Sequence, residues 1–197
     1  MKTPTTFEQS EMPSILLTPP AAEPLSRADA KRFLRLEHDT DDELIEALIA
    51  SARREVELAT RRVLVTQRWR IVLHRWPTSG RVLSPVNPLK ALEAVRVFDE
   101  TSVADPVDTA VFAVDNASVP AIIDCSRLNI PAPGRSVAGI ELDVSAGYGL
   151  AADVPAPLVQ AIRLLVARSY ESRDRVMPDA LPHTVATLIA PFRVLSL

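Results

Sequence analysis

Three histidines, His38, His74 and His183, and one cysteine, Cys125, are the residues of this chain most able to act as nucleophile, general base or metal ligand. Their spacing does not assemble them. No pair of histidines stands one helical turn apart, and none is set against a carboxylate in the way a zinc site needs. His74 falls at the end of an alternating run and reads as a rim residue. Cys125 has only Arg127 near it in sequence, so it reads as a small buried hydrophobe rather than a thiolate nucleophile. Asp41 and Asp42 resemble paired acids, but they open a helical pattern, where acids favour the positive end of the helix dipole. There is no Gly-x-Ser-x-Gly, no phosphate-binding loop and no dinucleotide glycine pattern, and the GYG at Gly147–Gly149 is too short to be specific. No catalytic residue, cofactor or metal is expected, and the chain reads as a non-enzyme.

Charge is more informative than chemistry. Between Arg53 and Arg81 there are eight arginines, among them Arg53, Arg54, Arg61, Arg62, Arg68 and Arg70, against two acids. Between Val97 and Ser126 there are six acids, among them Asp99, Glu100, Asp105 and Asp108, and no lysine or arginine. Two solvated faces would account for this. So would a head-to-tail contact in which the basic face of one subunit meets the acidic face of the next, a heterologous geometry that closes into rings. The net charge of −3 gives no global pull toward nucleic acid or an anionic membrane. The arginine block also lacks the aromatic ladder or recognition helix of a DNA reader.

The 197 residues, 47% hydrophobic and 24% charged, suit one domain with extensions. A single cysteine permits no internal disulfide and suits a reducing compartment. The opening MKTPTTFEQSEMPS has no apolar run after its basic start, so no secretory leader is expected, and no stretch is apolar and long enough to span a bilayer.

The elements that would carry these residues follow from periodicity. Residues 1–24 hold five of the 17 prolines and read as an extended or disordered arm, either loose or binding a neighbour. In LSRADAKRFLRL, Ser26 with Asp29 forms a weak capping box and Leu25 a staple, which predicts a short helix ending near Leu36. Thr40 with Glu43 predicts the cap of a longer amphipathic helix from about 41 to 61, its apolar stripe running from Leu44 to Ala59. In TQRWRIVL, Trp69, Ile71 and Leu73 alternate with Arg68, Arg70 and Val72, as in a strand with one buried face. Short strands follow at 81–84, 92–99, 109–115, 120–124 and 139–149, with prolines that point to edges and small sheets. Pro155 opens a helix that should end near Asp174. The fold class is α+β: an N-terminal helix pair, a small mainly antiparallel β region, a long C-terminal helix and extended terminal arms. The domains are expected at 1–24, 25–174 and 175–197.

The chain ends TLIAPFRVLSL, too apolar for a free terminus. Val185–Ala190 should form a turn or two of helix, stopped by Pro191. Leu188, Ile189, Pro191, Phe192, Arg193 and Leu195 would then anchor on a partner, or the tail would pack on its own subunit.

In order and spacing these segments resemble the phage head–tail connector, or adaptor, proteins of the gp6-like and phiE125 gp8-like group. The string Glu57, Thr60, Arg62, Leu64, Gln67, Trp69 carries the resemblance. So do the Pro88–Leu89 turn, the junction from Ala146–Gly149 through Val154–Pro155 and Ala161–Ile162 to Leu164, and the tail Leu188, Pro191, Phe192, Arg193. The resemblance implies a structural ring, commonly of twelve subunits, between the portal and the stopper or tail proteins of a tailed phage, a prophage or a gene transfer agent. Such a ring extends a channel that double-stranded DNA traverses. It also implies assembly in the cytoplasm, residence in the particle neck, no membrane, and a tail inserted into the portal. The competing reading is an unrecognised small-ligand or enzymatic α+β domain, which would need a deep pocket around Tyr148, His74 or Cys125. A third is a DNA-binding regulator.

Overall fold

The computed structural model describes residues 12–126, 130–172 and 180–194. The chain divides into two compact units that interleave in sequence. One comprises residues up to Pro19 together with Gln67–Ala146; the other comprises Pro20–Thr66 and the chain from Gly147 onward. The domain expected at 25–174 therefore contributes to both.

The first unit is all β. Its larger sheet is antiparallel, in the order β1 (Ser14–Thr18), β2 (Gln67–Leu73), β8 (Ile140–Ala146), β4 (Leu89–Phe98), β5 (Ala104–Val107). A smaller sheet runs β3 (Arg81–Leu83), β7 (Ile122–Asp124), β6 (Ala113–Asp115). Register explains the alternation seen in the sequence. Trp69 stands opposite Val144, Ile71 opposite Leu142, and Leu73 opposite Ile140, so one face is continuously apolar and buried. The opposite face sets Arg70 against Asp143 and Arg96 against Glu141. Val72, expected among the polar residues, is buried as well.

One expectation needs correction, and two strands go beyond what was expected. Residues 109–115 are not one strand: Asp108 accepts the Ala110 N–H and turns Thr109–Val111 into a 3-10 helix before β6 begins. The proline-rich arm contains a strand, β1, because the edge of β2 supplies its ladder. Ala104–Val107 is also a strand despite Pro106, which an edge position tolerates.

The second unit is helical: α1 (Arg27–Leu34), α2 (Asp42–Thr60), α3 (Ala156–Glu171) and α4 (His183–Ile189). Ser26 caps α1 as expected, its hydroxyl accepting the Asp29 N–H. The N-cap of α2 is Asp41, not Thr40, and no side-chain hydrogen bond is made there. Asp41 instead accepts the Tyr170 hydroxyl at 2.5 Å, which ties the start of α2 to α3. The expected end of α3 near Asp174 lies outside the described residues. Ile45, Ile49 and Val56 of α2, Leu158 and Ile162 of α3, and Val185 and Ile189 of α4 share one core with Leu25 and Leu64. Each such side chain contributes roughly 1.5–3 kcal/mol on burial.

Candidate assembly interface

The string from Glu57 to Leu64 forms the turn at the end of α2. Arg61, in the left-handed region at φ 55°, ends the helix. The buried Glu57 carboxylate turns back to accept the Leu64 N–H at 3.0 Å and the Arg53 guanidinium at 2.6 Å. Thr60 closes its hydroxyl on the Val56 carbonyl. The Arg62 Nε–H donates to the Phe192 carbonyl at 2.5 Å, and a second guanidinium nitrogen donates to the Tyr148 hydroxyl at 3.2 Å. The Ala146–Gly149 junction lies along the same segment. Tyr148 N–H donates to Leu64 O and Thr66 N–H to Gly149 O, each at 2.9 Å. Gly147, at φ 126°, has no room for a Cβ, which would stand 2.7 Å from the Val65 carbonyl carbon.

The tail is held at the same place. After α4, Ala190–Phe192 forms a 3-10 turn at Pro191; Val194 N–H donates to Thr60 O at 2.9 Å and Arg193 Nε–H to Ala59 O at 3.2 Å. Ile189 is fully buried, and Leu188 and Phe192 pack against the same core. Within the chain, residues 183–194 pack on their own subunit. Leu195 lies outside the described residues.

The arginine block separates into two sets. Arg53 binds Glu23 and Glu57, Arg62 binds the tail, Arg68 binds Glu93 at 2.6 Å, and Arg70 binds Asp143 and Glu141. Arg54 and Arg61 are exposed on or beside α2. The acids are exposed as a group. Asp99, Glu100, Asp105 and Asp108 all lie around β5, where the Asp99 carboxylate accepts the Val103 and Thr101 N–H groups. Those bonds and the Thr101 hydroxyl hold the Asp99 carboxyl below its ordinary value. On the charged sheet face, burial would raise the Asp143 carboxyl, but hydrogen bonds from Arg70 and Arg96 outweigh it and bring it down.

Burial, reinforced by Asp124, pushes the Cys125 thiol up, and its Sγ donates to the Gly80 carbonyl at 3.2 Å. The cleft beside it, about 240 Å³, is lined by Trp76, Pro77, Ser79 and Ser126 and by no acid or histidine among the described residues. His74 is exposed, its Nδ1 accepting the Ala138 N–H at 3.0 Å. Among the described residues no group of three or more His, Cys, Asp or Glu could hold a metal ion. Nor is any described helix long and apolar enough to cross a membrane.

Comparison with known proteins shows what the chain is similar to. Residues 28–104 match the phage gp6-like head-tail connector proteins. The whole fold also superposes on a chain in the neck of an empty gene transfer agent (GTA) particle, computed with C6 symmetry, with a TM-score of 0.80 at 25% identity over 94% of this chain and 97% of that one. The likeness is to phage head–tail connector proteins in sequence over that stretch and to gene transfer agent particle chains in fold. A chain in the virion of a native GTA particle gives the same TM-score, identity and coverage. One in the neck of a native GTA particle, computed with C12 symmetry, gives a TM-score of 0.72 at 25% identity over 95% and 97%. No curated protein matches the chain's sequence. Sequence reasoning named the string and junction, but missed that they pack on each other and on the tail. The Glu57 carboxylate facing the Leu64 N–H is seen only in the fold.

Proposed function

We propose that this chain is a non-enzymatic ring adaptor in the neck of a tailed-phage-like or gene transfer agent particle. Copies of it join the portal to the stopper or tail proteins and extend the channel through which double-stranded DNA passes. The likeness over nearly the full length of both chains to subunits of a particle neck, one neck carrying C12 symmetry, carries this reading. A dodecamer fits that symmetry. A net charge of −3 suits a channel that must not hold DNA, since phosphate affinity grows with each cation that neutralises one. Assembly would take place in the cytoplasm before the particle is complete.

The portal contact falls to the C-terminal tail. Leu188, Ile189, Pro191, Phe192 and Arg193 place its root, and Leu195 and the residues beside it reach the portal. The ring contact falls to the arginine and acid sets named above. Negative-stain electron microscopy of the purified chain, alone and with its portal protein, tests the reading. Rings with rotational symmetry are expected. A chain that stays monomeric in both preparations and does not bind the portal overturns it.

A further inference from the structure

Two surfaces of the chain share one design, an exposed apolar centre with charge of one sign beside it. The first is the outward face of α2. Leu58 is 68% exposed, on the side opposite the buried stripe of Ile45, Ile49 and Val56. Arg54 lies one turn before it and Arg61 follows at the helix end, both exposed, with Glu55 on the other flank.

The second surface is the β4–β5 hairpin and the turn after it. Val103 is 62% exposed and Val111 46%. Glu100, Asp105 and Asp108 are exposed in the same stretch of chain, Asp105 two positions from Val103. Two cations beside the hairpin are engaged elsewhere: Arg96, opposite Pro106, binds Glu141 and Asp143, and Arg135 has its guanidinium 3.7 Å from the centre of the Phe98 ring and donates to the Ala138 carbonyl. Pro106 removes one N–H from β5, so a neighbour cannot extend the ladder through that position and must dock on side chains.

We propose that these are the two sides of one contact between copies. The Arg54–Leu58–Arg61 face of α2 in one subunit seats on the Glu100–Val103–Asp105 hairpin of the next. The proposal rests on the ring reading and gives it residues. The surfaces are unlike, so the contact is heterologous and propagates around a ring. Charge complementarity sets its direction, because α2 of one copy facing α2 of another would oppose arginines.

Charge reversal tests it on the full-length protein, read by native mass spectrometry and electron microscopy. The variant R54E/R61E and the variant E100R/D105R should each lose ring formation by tenfold or more while keeping the wild-type circular dichroism spectrum. Mixed, they should recover rings, because each reversed face then finds its complement. L58D should lose rings and should not be recovered by E100R/D105R. If wild type forms rings and either double variant still does, or if the mixture stays unassembled, the surfaces are wrongly assigned and the ring reading stands without them. A wild type that never assembles removes both.

Discussion

The Arg62 guanidinium donates to the Phe192 carbonyl, a bond that joins residues 130 positions apart and fixes the C-terminal tail to the end of α2. The same guanidinium lies 5.9 Å from the centre of the Tyr148 ring. One side chain thus links the helix end, the Ala146–Gly149 junction and the tail. A hydrogen bond to a charged group contributes about 1.5–3 kcal/mol. Arg62→Ala is expected to speed hydrogen exchange in residues 183–194 well before it affects β2 or β8. Uniform acceleration across the chain would show that the arginine stabilises the fold generally rather than the tail.

Tail truncation needs care over its length. Removing residues 186–197 takes Ile189 out of the core, and deleting a large buried aliphatic side chain costs about 2–5 kcal/mol. Lost portal binding would then report unfolding. Removing 195–197 alone leaves every described contact in place. This shorter deletion is expected to keep the melting temperature within about 2 °C, since surface changes fall within about 0.5 kcal/mol, and to weaken portal capture in a pull-down. Undiminished capture would assign the contact elsewhere.

Asp143 gives a pH dependence of definite sign. Its carboxyl is held below the ordinary aspartate value, so its contribution is complete above about pH 3.9 and is lost as pH falls through the lowered folded value. Asp143→Asn leaves Arg70 and Arg96 with Glu141 as their one remaining shared carboxylate. The variant should be less stable than wild type in urea at pH 7, and the gap should narrow as the pH falls below the ordinary aspartate range, through the lowered folded value. A gap that is unchanged across that range would mean the carboxylate charge is not what matters.

Glu57 is a carboxylate whose removal leaves partners behind. It is 6% exposed, with Arg53 on one oxygen and the Leu64 N–H on the other. Breaking a buried pair from one side costs about 3–5 kcal/mol. Glu57→Ala is expected to lower thermal stability sharply, and Glu57→Gln less so, because the amide oxygen can still accept the Leu64 N–H. Equal losses from both would place the effect in the charge alone.

Much of the helical unit was legible because its period is local. The apolar stripe of α2, Ser26 capping α1 and the helical turns before Pro191 all depend on neighbours within four residues. What escaped depends on partners far along the chain. β1 is a strand only because β2 lies open beside it, and β5 keeps its place with Pro106 because it stands at an edge. The charge blocks were counted along the sequence, whereas Arg70 and Asp143 pair across 73 positions. Much of the apparent basic face is therefore spent within the subunit. The resemblance string was visible as letters, but its meaning as a joint needed the Glu57 carboxylate to be seen facing Leu64.

The prolines at the rims of the larger sheet have a consequence before any ring exists. Pro13 and Pro19 bracket β1, and Pro106 interrupts β5, so both margins resist the addition of another strand. Copies held at high concentration are therefore expected to resist joining strand to strand into fibres. Margins closed in this way leave side-chain contacts as the route for any association between copies.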